Sequence, residues 1–105
     1  MIIYNVTTNV EESIHTEWLE WMRNEHIPAV LATGKFIKAV LTRVLVDEAM
    51  GGITYSTQYT AENKEMLERY YKEDAAGLRR ETGRFTGNFV SFRTELEVIT
   101  EQHSA

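Results

Sequence analysis

Residues 18–36 read WLEWMRNEHIPAVLATGKF, and this run decides the fold. Placed at about 100° per residue, Ile14, Trp18, Trp21, Met22 and Ala29 fall on one arc, which is the pattern of an amphipathic helix facing a core. Pro28 interrupts that helix. It lacks an N–H and disfavours helical geometry at the residue before it, so the helix is expected to kink, or to end and restart, around His26-Ile27. Gly34 is placed to cap the C-terminus in the left-handed region, and strand-forming residues follow from Phe36.

Working outward, residues 2–8 alternate as a strand, with Ile2, Tyr4 and Val6 on one side and Ile3, Asn5 and Thr7 on the other. Asn9 is a plausible N-cap for a first helix that starts at Val10 or Glu11, and Glu11 and Glu12 suit its positive end. Residues 36–46 read as a second strand with both faces apolar: Ile37, Ala39, Leu41 and Leu45 against Phe36, Val40, Val44 and Val46. The turn 47–52, DEAMGG, joins it as a hairpin to a third strand, 53–60, in which Ile53, Tyr55, Thr57 and Tyr59 alternate with polar residues. A second helix spans about 61–80, with Met66, Leu67, Tyr70, Tyr71 and Leu78 as its apolar arc. A Gly/Thr-rich loop, 82–88, leads to a last strand that ends at Ile99 and carries Val90, Phe92, Leu96 and Val98 on one face.

The order is β-α-β-β-α-β. It predicts an α+β, ferredoxin-like sandwich: an antiparallel four-stranded sheet with two helices on one face. The single domain covers residues 1–99, and 100–105 form a polar tail. Two helices cover only one side of such a sheet, so leaving the other in water would forfeit several kcal/mol at about 25 cal/mol per Å². A homodimer through the sheet faces, closing a dimeric α+β barrel, is the expected solution.

Composition narrows the function. The 105 residues carry 16 acidic and 11 basic side chains, a net charge of −5, which gives no electrostatic footprint for nucleic acid or an anionic membrane. Hydrophobic residues make up 43% and charged residues 26%, and there is one proline, the balance of a folded domain. With no cysteine there is no disulfide framework, thiolate zinc site or thiol nucleophile. No run approaches the ~20 apolar residues of a membrane span, and MIIYNVTTNV lacks the zones of a signal peptide, so a cytoplasmic location is expected.

Trp21 to Pro28, followed by Leu31-Ala32, Gly34 and Phe36, resembles the W-x-x-x-E-H-[hydrophobic]-P…L-A…G-F run of dimeric α+β barrel proteins, among them relatives of the ethyl-tert-butyl-ether degradation proteins. Over nearly the whole chain, from MIIYNVT through LEWM, HIPAVLATG, RVLVDEAMGG, TYSTQYT and FRTELEV, it resembles still more a small bacterial domain-of-unknown-function family of that superfamily. The resemblance implies the fold. It does not choose among the cofactor-free monooxygenases, haem-handling proteins and isomerases that share it.

His26, beside the proline break, is the candidate catalytic residue, a general base or a hydrogen-bonding group in a cleft. A histidine that merely fastens the kink is the weightier alternative. Glu25 falls inside the apolar arc if the helix stays regular, where burial would raise its pKa and let it exchange a proton; a kink would rotate it into solvent, and that reading takes precedence. Asp74 of the second helix could face the same crevice. Trp18, Trp21, Tyr55 and Tyr59 are the candidate ligand-binding aromatics, with Tyr4 as a further phenol, although aromatics at these periods are more often core. His15, His26 and His103 do not have metal-ligand spacing. Gly83 and Gly87 form no complete phosphate loop, and Ser13, Ser56 and Ser91 lack a nucleophile elbow. Arg79, Arg80 and Arg84 could grip an anion, but as cations at a helix C-terminus they also suit the macrodipole, and that reading is preferred. Two functions follow: a dimer that binds a small apolar or aromatic molecule without metal or cofactor, or a cofactor-independent enzyme, monooxygenase- or cyclase-like, with His26 as base.

Overall fold

The computed structural model describes residues 1–47, 49 and 51–105. Strand β1 (Ile2–Val10) is followed by a 3-10 turn (Glu12–Ile14), α1 (His15–Trp21), a π turn (Met22–His26) and α2 (Ile27–Ala32). Then come β2 (Lys38–Arg43), β3 (Ile53–Ala61), α3 (Lys64–Glu73), α4 (Ala75–Glu81), a 3-10 turn (Thr82–Phe85) and β4 (Phe89–Glu97). The strands lie in the order β2-β3-β1-β4, and every neighbouring pair is antiparallel. This is the ferredoxin-like α+β arrangement, with the helical segments over one face of the sheet.

Several local expectations change. β1 runs through Val10, so Asn9 is a strand residue rather than a helix cap; its Nδ2 donates to Gly51 O at 3.3 Å and to Thr54 Oγ1 at 3.1 Å, tying β1 to the start of β3. Of the proposed 47–52 turn, Glu48 and Met50 lie outside the described residues. Gly34 does adopt φ +77°, and its N–H bonds Leu31 O at 3.2 Å. The second helix divides at Asp74, whose φ of −125° leaves the helical region, and Asn63 caps its first half by accepting from Met66 N at 3.0 Å.

Pro28 widens the first helix rather than breaking it. The Ile27 N–H reaches back to Met22 O, five residues away, so one extra residue is fitted into that turn. Everything beyond it is rotated by about one residue, roughly 100°. Val30 is therefore fully buried where a regular helix would have buried Ala29.

Two clusters form the core on the helical side of the sheet. One gathers Tyr4, Val30, Phe36, Tyr59, Ala61, Leu67, Tyr70 and Ala75; the other gathers Val10, Trp18, Trp21, Met22, Tyr55 and Phe85. Strand alternation groups Phe36 with Val40, which is exposed on the outer face, but Phe36 is on the inner side. It is 6% exposed and packs against Tyr59 and Tyr70, because β2 begins only at Lys38 and alternation does not extend back to it.

The outer face is mixed. Its centre is polar, with Ser56 Oγ donating to Asn5 Oδ1 at 2.6 Å and Asn5 Nδ2 donating to Thr7 Oγ1 at 3.2 Å. Its apolar surface lies toward the two edges: Val90 and Phe92, 73% and 61% exposed, together with Leu96 on β4, and Val40 on β2. Val98 and Ile99 follow the end of β4, with Val98 N–H bonding Met1 O. No helix among the described residues is long and apolar enough to cross a membrane.

Candidate functional site

Strand register explains why there is a cavity. On the helix-facing side, Thr57, Val6 and Arg93 lie in one row across β3, β1 and β4, and Tyr55, Thr8 and Ser91 lie in the next. The short side chains Val6, Thr8, Thr57 and Ser91 thus form a low floor. Tyr4 and Tyr59 bound it on one side and Phe89 on the other. Helices cannot follow such a step in the sheet, and a cavity of about 260 Å³ remains at the seam of the two core clusters. Trp18, Trp21, Met22 and His26 roof it from the first helix, Tyr70 and Leu78 from the second, and Arg79, Thr82 and Arg93 complete the lining.

The π turn determines which polar group reaches this space. A regular helix would carry Glu25 around to the arc of Trp21 and Met22, and the extra residue brings His26 there instead. Its imidazole stacks on the Trp21 indole, with centroids 4.7 Å apart and planes 22° from parallel. Among the described residues Nδ1 is buried with no hydrogen-bond partner. Burial, reinforced by the positive charge of Arg93, lowers the His26 pKa from 6.5 to about 4, so the ring is neutral at physiological pH.

Glu25 is on the outside. Its side chain is 65% exposed and lies 3.8 Å from Arg84, which pairs more closely with Glu17 at 2.8 Å. Asp74 also leaves the proposed crevice: at the α3/α4 break it holds Lys35 Nζ at 3.0 Å and so fastens the segment after Gly34 to the second helix. Tyr55 is turned away, packed against Trp18 with centroids 5.2 Å apart, and its hydroxyl shares a hydrogen bond with His15. Of the sequence-derived site residues, the structure brings together His26, Trp18, Trp21 and Tyr59, and it leaves Glu25, Tyr55 and Asp74 elsewhere.

Arg93 was not anticipated. The apolar set Val90, Phe92 and Leu96 drew attention to one face of β4, yet the opposite set, Phe89, Ser91 and Arg93, faces the helices. Arg93 Nε donates to Tyr4 OH at 2.7 Å. Arg79, assigned from sequence to the helix dipole, lines the cavity, whereas Arg84 lies over the Phe85 ring at 5.0 Å on the outer side. Tyr59 and Tyr70 stay protonated: burial raises the pKa of Tyr59 above its ordinary value and that of Tyr70 to about 12. They serve as walls, not as bases. Among the described residues no group of three or more His, Asp or Glu could hold a metal ion.

The sequence profile of the domain of unknown function DUF4286 matches residues 1–99. The chain belongs to this family. No curated protein matches it in sequence. Among solved structures, this family member is similar to an ethyl tert-butyl ether degradation (EthD) family protein from Bacillus halodurans, 16% identical, covering 94% of this chain and 100% of that one with a TM-score of 0.69. It is also similar to SnoaB, a cofactor-independent oxygenase from Streptomyces nogalater, 11% identical, covering 95% and 94% with a TM-score of 0.63. A dimeric ferredoxin-like protein from an uncultured marine organism is 14% identical and covers 99% and 100%, with a TM-score of 0.64. At these identities the likeness is one of fold.

Proposed function

We propose that the protein binds a small, largely aromatic or apolar molecule in the cavity between its helices and sheet, and that it works as a homodimer through the outer sheet face. The observation that carries the first part is the lined void itself. Its volume lies just below the range of roughly 300–1,000 Å³ usual for ligand sites, it has aromatic walls, and it has a few convergent polar groups. That suits a molecule of one or two rings. His26 contributes a neutral imidazole stacked on Trp21, and the floor contributes the hydroxyls of Thr8, Thr57 and Ser91.

The dimer reading is supported by Val40, Val90, Phe92 and Leu96, exposed along one sheet face, and by the dimeric ferredoxin-like protein of the same fold. Ordered water can bridge the polar groups at the centre of that face in such a pair.

A cofactor-independent enzyme is the second reading, favoured by the position of His26 in the cavity and by SnoaB, a cofactor-independent oxygenase of the same fold. The lowered basicity of the ring weighs against it, because an effective general base has a pKa near the working pH.

Native mass spectrometry of protein purified gently from its own host tests the binding reading. A retained small molecule that leaves on denaturation is the expected result. Adduct-free protein that also fails to quench Trp18 and Trp21 fluorescence with any member of an aromatic panel would overturn it.

A further inference from the structure

We propose that the ligand is an anion, an aromatic or apolar acid whose carboxylate is held by Arg79 and Arg93 while its body lies against the tryptophan wall. This rests on the cavity being a binding site and names the class of molecule it takes. The ionisable lining is one-sided: two arginines, a neutral histidine, three phenols and no aspartate or glutamate. In a chain with 16 acidic and 11 basic residues that is a local reversal of charge.

The two guanidinium groups arrive from separate elements, α4 and β4, and among the described residues neither forms an ion pair. Arg69 and Arg84, in contrast, are paired at 2.9 and 2.8 Å with Glu73 and Glu17. The acid nearest in the β4 pattern, Glu95, is engaged by Tyr71 OH at 2.9 Å and is not in the lining.

Arg93 is also set in position before a ligand arrives. Its Nε is committed to Tyr4 OH at 2.7 Å, which fixes the plane of the fork and leaves the terminal amino groups for a second acceptor. A planar guanidinium held this way matches a carboxylate by two parallel hydrogen bonds. The neutral His26 adds a polar contact without adding charge, and the indoles of Trp18 and Trp21 offer faces for a flat ring.

The test is isothermal titration with 2-naphthoate and its neutral isostere 2-naphthamide, at low and moderate chloride. The expected result is naphthoate binding at least about tenfold tighter than the amide, with the preference shrinking as salt rises. In the Arg79→Met/Arg93→Met double variant the preference should fall to within about twofold while the amide still binds. Equal affinities in the unaltered protein would overturn the anion class and leave the cavity reading standing. Binding of neither probe would overturn the anion proposal, and the cavity reading would then stand or fall by native mass spectrometry and the aromatic panel. A preference that survives in the double variant would exclude these arginines as the anion site. Should circular dichroism report the double variant unfolded, Arg79→Gln alone breaks no ion pair among the described residues and is expected to cut the preference at least about threefold; an undiminished preference would overturn the proposal.

Discussion

The imidazole of His26 and the indole of Trp21 lie stacked 4.7 Å apart, five residues apart in sequence. In a regular helix residues five apart stand about 500° round the axis, roughly 140° from each other. The π turn between them closes that angle and makes the stack.

A lowered pKa at His26 means the folded chain resists taking up a proton that the unfolded chain accepts. Between about pH 6.5 and about 4 the unfolded state therefore binds more protons, and stability falls as pH falls. Above that window the contribution is fully present, and below it the loss is complete, at most roughly 3 kcal/mol. Denaturant midpoints across pH 4–7 should show this slope, and His26→Phe should flatten it. An NMR titration placing His26 near 6.5 would contradict the argument.

Phe85 sits in a Gly/Thr-rich connection that reads as a solvent loop, yet it is 2% exposed and meets Trp21 edge-on at 5.4 Å. Phe85→Ala should cost about 3–5 kcal/mol, measured by urea unfolding. A loss under about 1 kcal/mol would mean that this ring is not part of the core.

Ser91→Phe would raise a ring from the floor into the void. Thermal stability should hold or rise while ligand uptake is abolished, with Trp fluorescence as readout for the second. A variant that still binds would move the ligand elsewhere.

Phe92→Glu places a charge on the apolar strip of β4, and in an association through the outer face it would meet its own image. Sedimentation velocity should show monomers at micromolar concentration, where the unaltered chain is expected to sediment as a dimer. Unchanged dimers would exclude the outer face as the contact.

Gly52 has φ +80°, and a Cβ there would stand 2.5 Å from Asn9 Oδ1 and 2.9 Å from Val10 O. The side chain of Asn9 can move but the strand carbonyl cannot, so Gly52→Ala should destabilise by about 1–3 kcal/mol, read from the thermal midpoint. Gly34→Ala, at φ +77° with open space, should cost only about 1–2 kcal/mol from backbone strain.

Element order was legible because hydrophobic period survives small errors of boundary: residues 53–60 alternate and 64–80 recur at helical spacing whatever their exact ends. Orientation past Met22 was not. A wheel assumes constant pitch, and a one-residue slip of hydrogen bonds leaves no mark on composition, so Ala29 takes on the wheel the inward place that belongs to Val30, while Glu25 stands in solvent, as the reading with a kink at Pro28 has it. The same limit hid Arg93, since alternation along β4 gives two faces without saying which one the helices cover. Asp74 fell on the inner arc only while the second helix was taken as continuous.

The widened turn also bears on how the gene can change length. It takes up one surplus codon locally and passes no displacement to the sheet. Deleting Asn24 should shorten the helix to ordinary pitch while His26 and Val30 keep their facing, so insertions and deletions among relatives should gather within residues 22–25, upstream of a histidine that stays aligned.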